Sequence, residues 1–223
     1  MEAVIVTLII AGVVVLVIAA IVIAKAMERR RTEALAAVAE EMGYRFQPEV
    51  DKETLTPLSG FRLFSQGHGR RARNLMVGET TSIEMWCLDY RYTVGSGKNS
   101  STFRQTVVAF FPRGVRLPPF ALAPENFFHR IGQAFGARDI DFDEYPVFSK
   151  SYLLRGEDED MVRHVFDDEV IRFFEENLNF NVECREEGLI FHQGHRLIKP
   201  PNLTEHILLA QRIFGLFLAR SRR

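Results

Sequence analysis

The sequence predicts an α+β protein with a single N-terminal transmembrane helix, followed by a mixed domain of antiparallel β-meanders and packing helices. Three observations predict this class. An unbroken apolar run opens the chain, and β-branched and aromatic residues alternate through its middle. Helical periodicities then follow, without the regular strand–helix repeat of a parallel sheet.

The apolar run predicts a membrane anchor over residues 1–24. From Ala3 to Ala24 the only polar side chain is Thr7. A helix of about 22 residues spans roughly 33 Å, enough to cross a hydrocarbon core of about 30 Å. A cleavable signal would place its positive charges before a shorter run, whereas here Glu2 precedes the run and basic residues follow it. We therefore expect an uncleaved span that contacts the bilayer through residues 3–24.

The basic flank predicts orientation and a surface contact. Lys25, Arg29, Arg30 and Arg31 follow the apolar run, and basic residues resist translocation. We therefore expect a single-pass protein of the cell membrane, with its N-terminus outside and its C-terminal domain in the cytoplasm. The same four side chains should lie at the anionic inner surface of the membrane.

Residues 25–43 predict a basic, amphipathic juxtamembrane helix. Leu35, Val38, Ala39 and Met42 recur at helical spacing, and Gly43 is a natural stop. Because no helix breaker separates this segment from the anchor, the membrane helix should continue into it as a stalk. Residues 44–223 then form the soluble α+β domain.

Two groups of strands are predicted in that domain. The segment "YRFQPEV" indicates a short strand ended by Pro48, and "NLMVGE", "SIEMWCLDYRYTV" and "TFRQTVVAFF" indicate a meander. The glycines of "GSGKNSS" suit the turn between the last two of these strands. The face carrying Trp86, Tyr90 and Tyr92 should meet the core. A second short meander is predicted in "FNVECREEGLIFHQGHRL".

Three helices are predicted in the second half of the chain. They cover Pro124 to Gly136, about 159–177, and the C-terminal segment after Pro200. Between the first two, "DIDFDEYPVFSKSYLLRG" is predicted to be extended. The apolar stripe of the C-terminal helix favours packing on a sheet, and the alternative is that this helix lies on an anionic membrane. The stripe comprises Leu203, Ile207, Ala210, Phe214 and Phe217.

Composition excludes some function classes. The formal net charge is −1, which argues against nucleic acid as a partner, because nucleic-acid binding calls for a basic face. Cys87 and Cys184 are expected to be buried free thiols in a reducing cytoplasm. No serine has the context of a nucleophile elbow and "GSGKNSS" does not fit a phosphate loop, so we predict no catalytic residue and no cofactor.

His192 and His195 are the candidate metal ligands. They flank Gln193-Gly194, and a tight turn there would make them cross-strand neighbours. Cys184, His206 or His164 could then approach. Zinc takes four ligands, or three and a water molecule, and only these two histidines are close in sequence.

The stretches "GRRARNLMVG" and "GSGKN…TFRQTVVAF", with the helix–meander–helix ending, resemble a family of uncharacterised bacterial single-pass membrane proteins of the actinobacterial type. The resemblance implies the same topology and, because the family's function is unknown, no activity.

The expected function is therefore a non-enzymatic, membrane-tethered cytoplasmic interaction or scaffold domain, with an unidentified protein partner at the inner membrane surface. Two alternatives remain open. One is a metal-dependent hydrolase using His192 and His195, and the other is peripheral binding of anionic lipids through the C-terminal helix.

Overall fold

A helix of 40 residues, α1 (Glu2–Glu41), opens the chain. The computed structural model describes residues 1–125 and 139–220. At 1.5 Å per residue α1 is about 60 Å long, twice the thickness of a hydrocarbon core. It ends as predicted, with Gly43 at a positive φ of 70° and the Tyr44 N–H donating to the Ala39 carbonyl at 2.8 Å. The segments predicted as anchor and stalk are thus one continuous helix.

The domain is built on a sheet in which every neighbouring pair of strands is antiparallel, and the strand order is β1-β2-β3-β4-β8-β7-β5-β6. The first four strands form a meander, and β7 and β8 form the second predicted hairpin. The strands are β1 (Arg45–Glu49), β2 (His68–Glu79), β3 (Ile83–Val94), β4 (Ser101–Pro112), β5 (Phe120–Pro124), β6 (Tyr152–Gly156), β7 (Asn181–Arg185) and β8 (Gly188–His192).

Most of the described helices cover one face of this sheet. Besides α1, the helices are α2 (Arg62–Ser65), α3 (Pro146–Ser151), α4 (Glu159–Val165), α5 (Asp168–Glu176) and α6 (Leu203–Arg220), with short 3-10 turns at Thr56–Leu58, Gly97–Asn99 and Pro200–Asn202. The end of α1 and helices α3 to α6 pack on the face that carries Met85 and Cys87. All five residues of the predicted stripe on α6 are buried there, so the C-terminal helix docks on the sheet as the stripe favoured.

The opposite face of the sheet is also buried, although the sequence suggested one core face. Trp86, Tyr90 and Tyr92 pack there under the segment that contains Leu58 and Phe64. The buried carboxylate of Glu183 on β7 helps to hold this segment, because it accepts the backbone N–H at the start of α2 at 2.8 and 3.0 Å. The predicted aromatic face is therefore confirmed as buried, but it forms the smaller of two cores.

Three elements differ from the sequence prediction, and a fourth lies mostly outside the described residues. Pro48 lies within β1 and does not end it, which is possible because β1 is an edge strand. The segment predicted to be extended contains the helix α3 before β6. The helix predicted over 159–177 is two helices, because Asp167 is extended and caps α5 through its side chain. The helix predicted from Pro124 to Gly136 lies outside the described residues beyond residue 125, and Pro124 itself ends β5.

Candidate functional site: the junction between the N-terminal helix and the sheet

A local irregularity in β2 orients Asn74 towards the junction between α1 and the sheet. The pairing of β2 with β3 shifts register between Arg73 and Met76, and Asn74 adopts a positive φ of 54°. Asparagine tolerates this left-handed conformation better than most residues, and such a bulge re-aims a side chain. The Asn74 side chain accepts the Thr32 hydroxyl of α1 at 2.9 Å and donates to Oδ2 of Asp89 at 3.0 Å.

Asp89 on β3 is the acceptor at the centre of the junction. Both of its carboxylate oxygens bind the Arg31 guanidinium, each at 2.7 Å, and Oδ1 also accepts the Thr106 hydroxyl at 3.1 Å. Arg31 donates further to the Ile198 carbonyl at 2.8 Å. One side chain of α1 is thereby joined to β3 and to the segment that leads into α6.

The ion pair between Arg31 and Asp89 is largely buried. The Arg31 and Asp89 side chains are 19% and 13% exposed, well below the exposure of a surface pair. Bidentate arginine–carboxylate geometry also defines orientation, because two parallel N–H···O bonds permit little rotation. Leu35 and Ala39 are buried on the same helix in the following turns. The end of α1 is therefore fixed against the sheet both in rotation and along its axis.

The four basic residues predicted at the membrane surface have different environments. Lys25, Arg29 and Arg30 are exposed, and Arg29 pairs with Glu33 one helical turn away at 2.7 Å. Arg31 is instead bound inside the protein by Asp89. The sequence predicts the membrane surface for all four, because it gives only their charge and their position next to the apolar run.

Three residues of this junction, Asp89, Asn74 and Thr106, are not predicted by the sequence. A weak signal existed for Asp89, because it follows Ile83, Met85 and Cys87 on one face of a predicted strand. An acid that continues an otherwise apolar strand face needs a buried partner. Nothing in the sequence identified that partner as a residue 58 positions earlier.

The structure places the candidate metal ligands at the end of β8. His192 is the last residue of the strand, and its Nδ1 lies 3.3 Å from the Gly194 carbonyl. His195 lies in the turn, with its Nδ1 3.3 Å from Oε1 of Gln105 and its ring 3.9 Å from that of Phe103. Burial lowers the pKa of His192 to about 4, so its imidazole is neutral near pH 7.

The other three residues proposed to approach these histidines lie elsewhere. Cys184 and His206 pack on the helix-covered side of the sheet, whereas the alternation of β8 directs His192 to the opposite face. His164 is exposed on α4. Among residues 1–125 and 139–220, no three His, Cys, Asp or Glu side chains form a group that could hold a metal. A metal at His192 and His195 stays a prediction.

Cys87 and Cys184 are free and buried, as predicted. Burial raises the pKa of both thiols, and the nearby carboxylates of Asp89 and Glu183 add to the effect. Because the thiolate is the reactive form, neither cysteine is activated as a nucleophile.

The comparisons with known proteins show a similar fold and nothing further. The chain matches no protein-family model and no curated protein. Among solved structures it is similar to the crystal structure of the mycobacterial trehalose monomycolate transport factor A, TtfA. The TM-score is 0.59 and the identity 11%, over 84% of this chain and 92% of that one. This α+β likeness to a mycobacterial protein is consistent with the actinobacterial-type resemblance in the sequence.

Proposed function

We propose that this chain is a non-enzymatic, membrane-anchored scaffold. In this proposal α1 crosses the cell membrane and holds the sheet domain at the cytoplasmic surface, where the domain binds an integral membrane protein. One observation carries the proposal: α1 runs without a break from an apolar, exposed half into a half that is bound to the sheet through Arg31 and Asp89. A flexible tether would only concentrate a domain at the membrane, whereas a docked helix also orients it.

The orientation rests on charge. Lys25, Arg29 and Arg30 lie immediately after the apolar residues and are exposed. Short basic flanks of this kind remain on the cytoplasmic side. The N-terminus would then lie outside, and the folded domain inside.

The class of partner comes from the structural neighbour. That protein is a mycobacterial transport factor for trehalose monomycolate. We propose that this chain also serves transport at the membrane, and that its partner is a membrane transport protein. A docked transmembrane helix suits such a partner, because the helix and the domain can contact its membrane-embedded and cytoplasmic parts together.

A topology experiment tests the orientation. The full-length chain is fused after Arg223 either to alkaline phosphatase, active outside the cytoplasm, or to green fluorescent protein, fluorescent when folded in the cytoplasm. We expect fluorescence and no phosphatase activity. Phosphatase activity without fluorescence would overturn the cytoplasmic placement.

Photo-crosslinking in native membranes tests the partner. A photoreactive amino acid is placed at Val147, Met161 or Leu208, which are exposed apolar residues outside α1. We expect at least one position to give an adduct that mass spectrometry identifies as a membrane transport protein. The adduct should weaken when residues 1–24 are replaced by an unrelated transmembrane helix. Adducts restricted to proteins outside the membrane would contradict the proposal.

A further inference from the structure

Three contacts show which end of the sheet faces the apolar half of α1. Tyr44, just after α1, lies against Gly78 of β2, and within α1 Thr32 binds Asn74 and Glu28 pairs with Arg73. Moving along α1 towards its apolar half therefore corresponds to moving along β2 towards its first residue. Because β3 is antiparallel to β2 and β4 is antiparallel to β3, the end of β3 and the start of β4 lie at this same end of the sheet.

Three arginines form a row across this end of the sheet. Arg71 on β2 is paired in register with Arg91 on β3, and Arg91 with Arg104 on β4. All three are exposed. Arg91 lies two residues beyond Asp89 and therefore on the same face of the sheet as α1. We name Arg71, Arg91 and Arg104 the arginine row.

The row is unusual in its electrostatics. Like charges that lie directly opposite each other on neighbouring strands destabilise a sheet. Arg71 is compensated by Glu49 at 3.0 Å. Within the part of the chain that the structure describes, neither Arg91 nor Arg104 has an ion-pair or hydrogen-bond partner. Arg73, two residues further along β2 from the apolar half of α1, is paired with both Glu28 and Glu49.

The height of the row suits contact with a membrane surface. From Ala24 to Arg31 is seven helical steps, a rise of about 10 Å. Arg91 lies two strand residues beyond Asp89. This covers about 7 Å of the distance if β3 runs parallel to the helix axis. An extended arginine side chain can bridge the remaining few ångströms to the headgroups.

We propose that the arginine row binds the phosphate groups of anionic lipids in the membrane that α1 crosses. The inference rests on the proposed function, because the anchor brings the row to the bilayer. Arginine binds phosphate through a planar fork of N–H donors, and lipid phosphates would neutralise the charges that Arg91 and Arg104 leave uncompensated. Since a transmembrane helix tilts by up to about 40°, the rigid unit of α1 and sheet can lean until the row meets the headgroups.

A fluorescence experiment on the full-length chain tests this proposal. Ser96 lies in the exposed turn beyond the row, and Ser96→Cys provides a labelling site because Cys87 and Cys184 are buried. The labelled protein is placed in nanodiscs of phosphatidylcholine, with or without phosphatidylglycerol. A trace of lipid carrying a nitroxide on its headgroup quenches the fluorophore when the turn approaches the membrane.

We expect phosphatidylglycerol to increase quenching and added salt to reverse the increase. Each basic residue near an anionic surface changes the equilibrium about fivefold, so Arg91→Gln with Arg104→Gln should lower the constant for the membrane-facing orientation roughly 30-fold. Replacing both arginines by lysine should retain most of the increase, because the charge remains.

The matched control is Arg45→Gln with Arg116→Gln, which removes two exposed arginines at the far end of the sheet and changes the net charge equally. This control should quench like the unmodified chain. Equal quenching in the row variant and the control would overturn the proposal. Loss of the effect in inorganic phosphate, but not in chloride of the same ionic strength, would indicate a site for free phosphate and overturn the lipid assignment. Failure of the anchor would appear separately, as protein released from the nanodiscs in every variant.

Discussion

Arg31 and Asp89 show how one residue position changes the role of a charge. Arg30 and Arg31 are neighbours in sequence, yet Arg30 is exposed and Arg31 is held by an aspartate on the sheet. A charge removed from water needs both an opposite charge and satisfied hydrogen bonds. Asp89, Thr106 and the Ile198 carbonyl provide them here.

Replacing Asp89 by asparagine should therefore be costly. The variant keeps the shape of the side chain but leaves the Arg31 charge without its counter-charge, and breaking a buried pair typically costs about 3–5 kcal/mol. We expect a loss of that order in the free energy of unfolding, measured by denaturant titration of the full-length chain in detergent. Glu33→Gln, which removes the exposed partner of Arg29, should change it far less, because water screens an exposed pair. Similar losses in both variants would contradict the structural role of the junction.

His206 predicts a pH dependence of stability. Burial lowers its pKa to about 4, and Arg196 adds to the effect. The unfolded chain takes up a proton near pH 6.5, whereas the folded chain does not until about pH 4. Stability from this residue is thus complete above pH 6.5 and is lost as the pH falls through that window.

The variant His206→Leu should flatten the pH dependence. Between pH 6 and pH 4.5 we expect the slope of the unfolding free energy to fall by up to about 1.4 kcal/mol per pH unit. The control is His68→Leu at an exposed position, where hydration is similar in the folded and unfolded states. An unchanged slope in His206→Leu would show that this histidine is already protonated in the folded chain.

At the scale of elements, the break between α4 and α5 depends on Asp167. Its side chain accepts the N–H groups of Glu169 and Val170 and binds the buried Arg220 of α6 at 2.6 Å. Burial alone would raise the pKa of Asp167, but the hydrogen bonds from Arg220 and from the Val170 N–H outweigh it and lower the pKa overall. One carboxylate both starts a helix and ties it to the C-terminal helix.

Asp167→Ala should destabilise the domain by about 2 kcal/mol, because it removes a helix cap worth about 1 kcal/mol and a charge-assisted hydrogen bond to Arg220. Thermal unfolding followed by circular dichroism would measure the loss. Asp160→Ala removes an acid from the first turn of α4 at an exposed position and should have a much smaller effect. Equal losses of stability in the two variants would mean that negative charge at the helix N-termini matters, and not the specific contacts of Asp167.

At the scale of the whole molecule, α1 belongs to two environments. Its apolar half is exposed on all sides, and its last turns are part of the folded core through Leu35 and Ala39. Two inserted residues rotate everything beyond them by about 200° around the helix axis. The consequence should depend on where they are inserted.

Two alanines inserted between Ala20 and Ile21 should leave the melting temperature of the domain unchanged, because the docked turns keep their register. The same insertion between Leu35 and Ala36 should lower it strongly, because Ala39 is turned away from its buried position. Differential scanning calorimetry of the full-length protein in detergent compares the two. Equal melting temperatures would show that the end of α1 contributes little to the domain.

Sequence reasoning recovered most of the elements but not their assembly. The end of α1 at Gly43, the β2–β4 meander, the β7–β8 hairpin and the stripe of α6 follow from local periodicity and turn residues. The helix α3 and the break at Asp167 were missed, because short elements depend on packing as much as on propensity. Of the junction, the sequence predicts a role for Arg31 alone, and that role is at the membrane surface.

The sequence by itself determined that an apolar helix precedes an α+β domain, because length, hydropathy and periodicity are properties of consecutive residues. The tertiary structure alone decided that Arg31 enters the domain while Arg29 and Arg30 stay outside. It also decided that Arg71, Arg91 and Arg104 form one row. The physical reason is that these arrangements depend on the register of β2, β3 and β4 and on the angle at which α1 meets them, and both are set by contacts between residues far apart in the chain.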